Sequence, residues 1–180
     1  MQKFNNPGDI HFVTFRTYKK YPYFKDEKCC LILLEELNYY RTKFSLKIYD
    51  YVILPDHIHC LIYFEDEDLT ISRIVQAIKG FTARRIIKLY SSIGSWEQLL
   101  PATRPEADKQ HFRKLKYKIW QPDFYDFNVQ TDKKFWEKLE YIHNNPIKHR
   151  LTDDISKYKF CSWRNYELND HSIFKIDYCE

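Results

Sequence analysis

Apolar and polar residues alternate over Ile10–Thr17 (IHFVTFRT), directly after the turn-forming run Asn5-Asn6-Pro7-Gly8, and a period of two marks a half-buried strand. The period then changes. From Cys29 to Tyr40 the apolar residues recur at helical intervals behind Asp26, which gives an amphipathic helix with an acidic start. Leu46–Leu54 is rich in Ile, Val and Tyr and stops at the turn dipeptide Pro55-Asp56; Ile58–Phe64 resumes the strand pattern, so the two runs are expected to form an antiparallel hairpin. Over Leu69–Tyr90, Ile71, Ile74, Val75, Ile78, Phe81 and Thr82 fall three and four apart, which predicts a helix with basic residues on its other face. The period dissolves between Ser91 and Lys118, where Gly94, Pro101 and Pro105 signal a loop or insertion at about 91–118. Ile119–Val129 (IWQPDFYDFNV) reads as extended, with Pro122 favouring an edge or bulge, and Lys133–Asn145 as a helix stopped by Pro146. The aromatic tail at about 151–180, with YKFCSWRNY, is expected to pack onto the body.

Strand, helix, strand, strand, helix, strand and a further helix make an α+β chain of the split βαβ kind: an antiparallel sheet with helices on one face and the other face free for a site. A length of 180 residues with 44% hydrophobic content suits one catalytic domain over 1–180. No run approaches the roughly eighteen apolar residues of a membrane span, and no basic leader precedes an apolar core, so the expectation is a soluble, unexported, cytoplasmic protein without a membrane partner. Cys29, Cys30, Cys60, Cys161 and Cys179 are odd in number, form no CxxC pair, and read as reduced core-filling thiols.

The net charge of +4 changes the picture through its placement: Lys79, Arg84, Arg85 and Lys88 lie close together, as do Lys109, Arg113, Lys114, Lys116 and Lys118. Such clusters suit a polyanion as well as a merely solvated face, and 18% aromatic residues supply rings able to stack on unpaired bases. The sharpest chemistry is His57-Ile58-His59. On a strand both histidines project from one face, with Ile58, Cys60, Ile62 and Phe64 on the other, and two imidazoles so presented can begin a metal site. Asn145 completes it if the last helix covers that face, and Tyr141 lies one turn earlier on the same helical side. Two imidazoles and an amide oxygen suit Mg²⁺ or Mn²⁺ better than a closed zinc site, although a catalytic zinc stays open. A phenol attacks a phosphodiester poorly unless a divalent ion polarises the phosphate and assists the leaving oxygen. Against this stand plainer readings: a chance HxH pair, a core tyrosine, and Asn144-Asn145-Pro146 as a helix stop. His111, His143, His149 and His171 read as solvated or DNA-facing.

Six ordered segments, VTFRTYKKYPYF, YVILPDHIHCLIYF, ISRIVQAIKGFTARRI, IWQPDFYDF, YIHNNPIKHRL and SWRNY, resemble the HUH-superfamily single-tyrosine transposases, and within them the REP-associated tyrosine transposases. The resemblance implies a ferredoxin-like core, His57, His59 and Asn145 as metal ligands, Tyr141 as nucleophile, and Mg²⁺ or Mn²⁺ as cofactor. It further implies cleavage and rejoining of single-stranded or hairpin DNA through a 5′-phosphotyrosine. Either a homodimer that exchanges the tyrosine helix or a monomer is compatible with it. Lys79, Arg84, Arg85 and Lys88 are the candidate DNA contacts, with Trp120 and Phe124 as candidate stacking rings. Two alternatives remain at this level: a phosphodiesterase using water as nucleophile, and a non-catalytic, domesticated binder of hairpin nucleic acid.

Overall fold

The computed structural model describes residues 6–92 and 117–179, so the expected insertion lies almost wholly outside the described residues. Four strands, β1 (Ile10–Arg16), β2 (Lys47–Leu54), β3 (His57–Tyr63) and β4 (Tyr125–Val129), form one sheet in the order β2-β3-β1-β4. All neighbours are antiparallel. With helices α1 (Glu27–Lys43) and α2 (Ile71–Ser92), this is the expected α+β, ferredoxin-like split βαβ arrangement. Asp26 caps α1, its carboxylate accepting from the Lys28 N–H at 2.9 Å, which satisfies one of the donors a helix start leaves open.

Alternation along the strands sorts side chains into two cores. Val13, Phe15, Ile58, Cys60 and Ile62 pack with Leu33 and Leu37 of α1 and Ile74 and Ile78 of α2. Phe12, Val52, Leu54 and Leu61 point the other way, against Phe135, Leu139 and Ile142 of a third helix, α3 (Asp132–Lys148). α3 covers much of this second face, the placement on which the reading of Asn145 depended, because its own apolar stripe needs a partner. The site is left one end of that face.

Helix α3 also does not stop at Pro146. Proline cannot donate to the Ile142 carbonyl, but so near the helix end this forfeits a single bond. The helix is closed instead by a Schellman turn: Arg150, at φ 55°, donates to the Ile147 carbonyl and Leu151 to that of Pro146, both at 2.9 Å. Asn145 is thereby inside the helix rather than in its cap.

Of the extended segment before β4, only Tyr125–Val129 is strand; Trp120 makes an isolated bridge to Thr17. The aromatic tail packs down as expected and lines the outer edge of β2, with the Ile53 N–H bonded to the Phe160 carbonyl, Ser162 N–H to the Tyr51 carbonyl and Asp177 N–H to the Ile48 carbonyl. That occupies backbone groups which an edge strand would otherwise expose. A short helix, α4 (Trp163–Leu168), follows the first of these contacts. Cys29, Cys30, Cys60 and Cys161 are buried and Cys179 is exposed, all as free thiols. Among the described residues no helix is long and apolar enough to cross a membrane.

Candidate active site

β3 begins at the Pro55-Asp56 turn, and its alternation puts His57 and His59 on the α3 side, each only 2% exposed. Each ring is held at Nδ1. His57 Nδ1 lies 2.6 Å from Asp56 Oδ1, and since a carboxylate only accepts, that nitrogen carries the proton and leaves Nε2 with its lone pair. His59 Nδ1 lies 2.7 Å from Thr14 Oγ1, its register partner on β1, while its Nε2 is buried with no hydrogen-bond partner. Burial lowers the pKa of both imidazoles; beside Asp56 the effect at His57 is opposed, whereas at His59 the neighbouring His57 and Arg16 add to it and push it far down. Both rings are thus held neutral, the form that donates a lone pair to a metal.

Helix α3 runs across this pair. The Tyr141 ring stands edge-on to His59 at 5.2 Å and to Phe12 at 5.8 Å, and two turns on the His149 ring packs against His57 at 5.3 Å. Asn145 is midway between them on the same helical side, 1% exposed. Its Nδ2 donates to the Tyr141 carbonyl at 2.6 Å, which fixes the amide and leaves Oδ1 buried without a partner. The structure therefore brings His57, His59, Tyr141 and Asn145 together. A buried, unpartnered imidazole nitrogen and amide oxygen in one place fit a divalent cation, because leaving both without one costs roughly 1–3 kcal/mol each. Among the described residues no group of three His, Cys, Asp or Glu side chains is placed to hold a metal.

Beside the pair opens a cleft of about 600 Å³, walled by Phe12, Thr14, Arg16, His59, Phe124, Tyr125, Lys138 and Tyr141. Tyr141 is 40% exposed and the phenol is open to an incoming molecule.

The residues expected to grip DNA are placed differently. Lys79 is buried, its Nζ donating to the carbonyls of Gln121, Pro122 and Asp123 at 2.7, 3.2 and 3.3 Å, so it braces the loop that edges the cleft. Arg85 bonds Glu35 and Glu36 of α1, Arg84 stacks over Phe81 at 4.3 Å, and Lys88 is exposed; α2 is on the sheet face away from the histidines. Trp120 is 6% exposed and packs against Phe15 and Phe24, so it belongs to the core rather than to a stacking surface. Phe124 is mostly buried but does line the cleft. His143 is not solvated: its Nε2 lies 3.3 Å from Oδ1 of the buried Asp50, whose carboxyl pKa is raised by burial against the pull of His143 and Ser162. A bulge between Ile48 and Asp50 on β2 brings Asp50 opposite Leu61. His171 is tied to Asn165 and Asn169, and His111 lies outside the described residues.

Sequence reasoning missed Asp56, Thr14, Arg16 and Lys138. Asp56 was adjacent to the HIH pair and could have been found there; Thr14 required the β1–β3 register. Lys138 had a usable signal, three residues before Tyr141.

The chain is 28% identical over 112 residues to a protein of Haemophilus influenzae assigned to the REP-associated tyrosine transposases, a match covering 62% of this chain and 55% of the relative. It is 26% identical over 113 residues to the REP-associated tyrosine transposase of Escherichia coli K12, covering 63% and 52%. The chain thus spans about half the length of the curated relatives it matches. A solved structure of a REP-associated tyrosine transposase bound to a REP hairpin superposes with a TM-score of 0.69 at 19% identity, over 100% of this chain and 90% of that one, and shares its fold. The model of the IS200-like transposases matches residues 7–100, just over half of the sequence. With the split βαβ sheet and the paired strand histidines already in place, the chain belongs to the IS200-like transposase family.

Proposed function

We propose that this protein is a metal-dependent transposase that cuts and rejoins single-stranded DNA beside hairpins through a 5′-phosphotyrosine. What supports this reading most is the buried pair of unpartnered acceptors, His59 Nε2 and Asn145 Oδ1, gathered under the helix that carries the exposed Tyr141. His57, His59 and Asn145 would hold Mg²⁺ or Mn²⁺. When bound, the ion polarises the scissile phosphate and eases departure of the leaving oxygen. Asp56 and Thr14 fix the imidazole orientations and keep Nε2 of each ring turned inward.

Tyr141 attacks phosphorus through Oη. The phosphorus–O3′ bond breaks, the phenol gives up its proton, and the departing 3′ oxygen takes one up, leaving a 5′-phosphotyrosine and a free 3′-OH. The ester keeps the energy of the phosphodiester, so attack by a 3′-OH in the reverse sense rejoins strands. Hairpin DNA as the substrate follows the solved relative bound to a REP hairpin. Tyr141 and the histidines lie in one chain, which supports a site complete within a single subunit.

The test uses a 3′-labelled pool of single-stranded DNAs carrying hairpins with randomised flanks. Wild type with Mn²⁺ is expected to yield a protein-linked label that Tyr141→Phe does not form and EDTA suppresses. Normal strand cleavage by Tyr141→Phe would mean that water is the nucleophile. Binding without any metal-dependent cleavage would identify a hairpin binder instead.

A further inference from the structure

Several cations are already committed: Lys79 to three carbonyls, Lys134 to Glu137, and Arg85, on the far face of the sheet, to Glu35 and Glu36, while Lys148 lies over the Tyr141 ring at 5.4 Å. Lys138 is different. It lies one turn before Tyr141 on the same side of α3 and lines the same cleft. Its Nζ sits 4.7 Å from the Phe12 ring centre and 4.6 Å from that of Phe127, and among the described residues no carboxylate or carbonyl receives it. Cation–π contact with two phenyl rings holds an ammonium in place without neutralising it. Partial burial and the Lys134 charge lower the Lys138 pKa, against the opposing pull of the Glu137 carboxylate next to it in sequence. Arg16 lines the cleft as well and has no carboxylate partner among the described residues, while the Asp123 carboxylate there accepts the Phe124 N–H of its own loop at 2.9 Å.

We propose that the Lys138 ammonium is a contact for a backbone phosphate of the single strand next to the scissile bond, with Arg16 lining the same passage. The strand is thereby fixed with phosphorus facing Tyr141. This rests on the strand-cleaving reading, and it moves phosphate binding from the α2 face, where the charge pattern of the sequence suggested it, to the helix that carries the nucleophile.

Two measurements test it. Binding of fluorescein-labelled oligo(dT) is followed against salt in a Tyr141→Phe background without divalent metal. Lys138→Met keeps the apolar stem between the rings, and Lys138→Arg keeps the charge. Removal of one phosphate contact is expected to reduce the slope of log affinity against log salt by about 0.7. Lys138→Arg should restore it. An unchanged slope in Lys138→Met, at an unchanged melting midpoint, overturns the proposal. Second, for an oligonucleotide trapped as a tyrosine adduct, each linkage flanking the cleavage point is replaced in turn by an uncharged methylphosphonate. Lys138→Met is expected to slow adduct formation about 10- to 100-fold, as for loss of a hydrogen bond to a charged group. At one linkage the methylphosphonate should cause no further loss in Lys138→Met. Independent, multiplying losses at every linkage would overturn the contact. If wild type forms no adduct, the cleavage reading fails on its own, and the salt slope still decides whether Lys138 meets a phosphate.

Discussion

The two faces of the sheet are built from the same strands yet organised by different rules. On the α1–α2 side, Val13, Phe15, Ile58, Cys60 and Ile62 make an apolar layer packed against the two helices. On the α3 side the same strands carry Thr14, Arg16, His57 and His59, and burial there leaves polar atoms without partners. Residues 58 and 59 are adjacent in sequence but answer to different demands. One face is filled mainly by apolar side chains; on the other, two imidazoles are buried at an energetic cost.

Mutations that exchange the two behaviours would break this contrast. The largest expected effect is on the α3 side: His59→Gln should reduce metal-dependent adduct formation at least about a thousandfold, a loss on the scale of removing a main element of a catalytic site. Its melting midpoint should change little, since one buried polar side chain of similar size replaces another. A midpoint that collapsed would show His59 to be structural. On the other face, Ile58→Ala should leave about 2–5 kcal/mol less stability in urea unfolding. The protein that remains folded should still form the adduct. Thr14→Val and Asp56→Asn release the rings at Nδ1 and are expected to weaken Mn²⁺ binding about 10- to 100-fold by calorimetry. Equal affinity in both variants would separate the histidines from the metal. The smallest effect belongs to Arg85→Met, which removes a partly exposed pair with Glu35 and Glu36 and should cost no more than about 1 kcal/mol. Oligo(dT) affinity should hold, because that arginine is spent between two helices.

The contrast also explains what could be read from the sequence. Strand alternation is a local signal, so the hairpin around Pro55-Asp56, the shared face of His57 and His59, and the helical turn between Tyr141 and Asn145 were all legible. The end of α3 was not: Pro146 looked like a stop, and only the left-handed Arg150, with the bonds from Arg150 N–H to Ile147 and from Leu151 N–H to Pro146, shows where the helix closes. Charge clusters misled for a related reason: composition does not reveal that Lys79 turns inward to three carbonyls or that Trp120 fills the gap between Phe15 and Phe24. Thr14 needed the register of β1 against β3, which is written in neither segment alone, whereas Lys138 could have been found from its place one turn before Tyr141.

The extra turn that carries α3 past Pro146 has a consequence for control. Tyr141 and Asn145 are rigidly spaced on one rod, and the Asn145 amide is pinned to the Tyr141 carbonyl. With the roles proposed for them, any swing of the rod that withdraws the nucleophile also strips a ligand from the ion. The machinery then behaves like an interlock: attack and activation are engaged together or released together, and a half-armed state with a loaded metal and no tyrosine over it is not open to the protein.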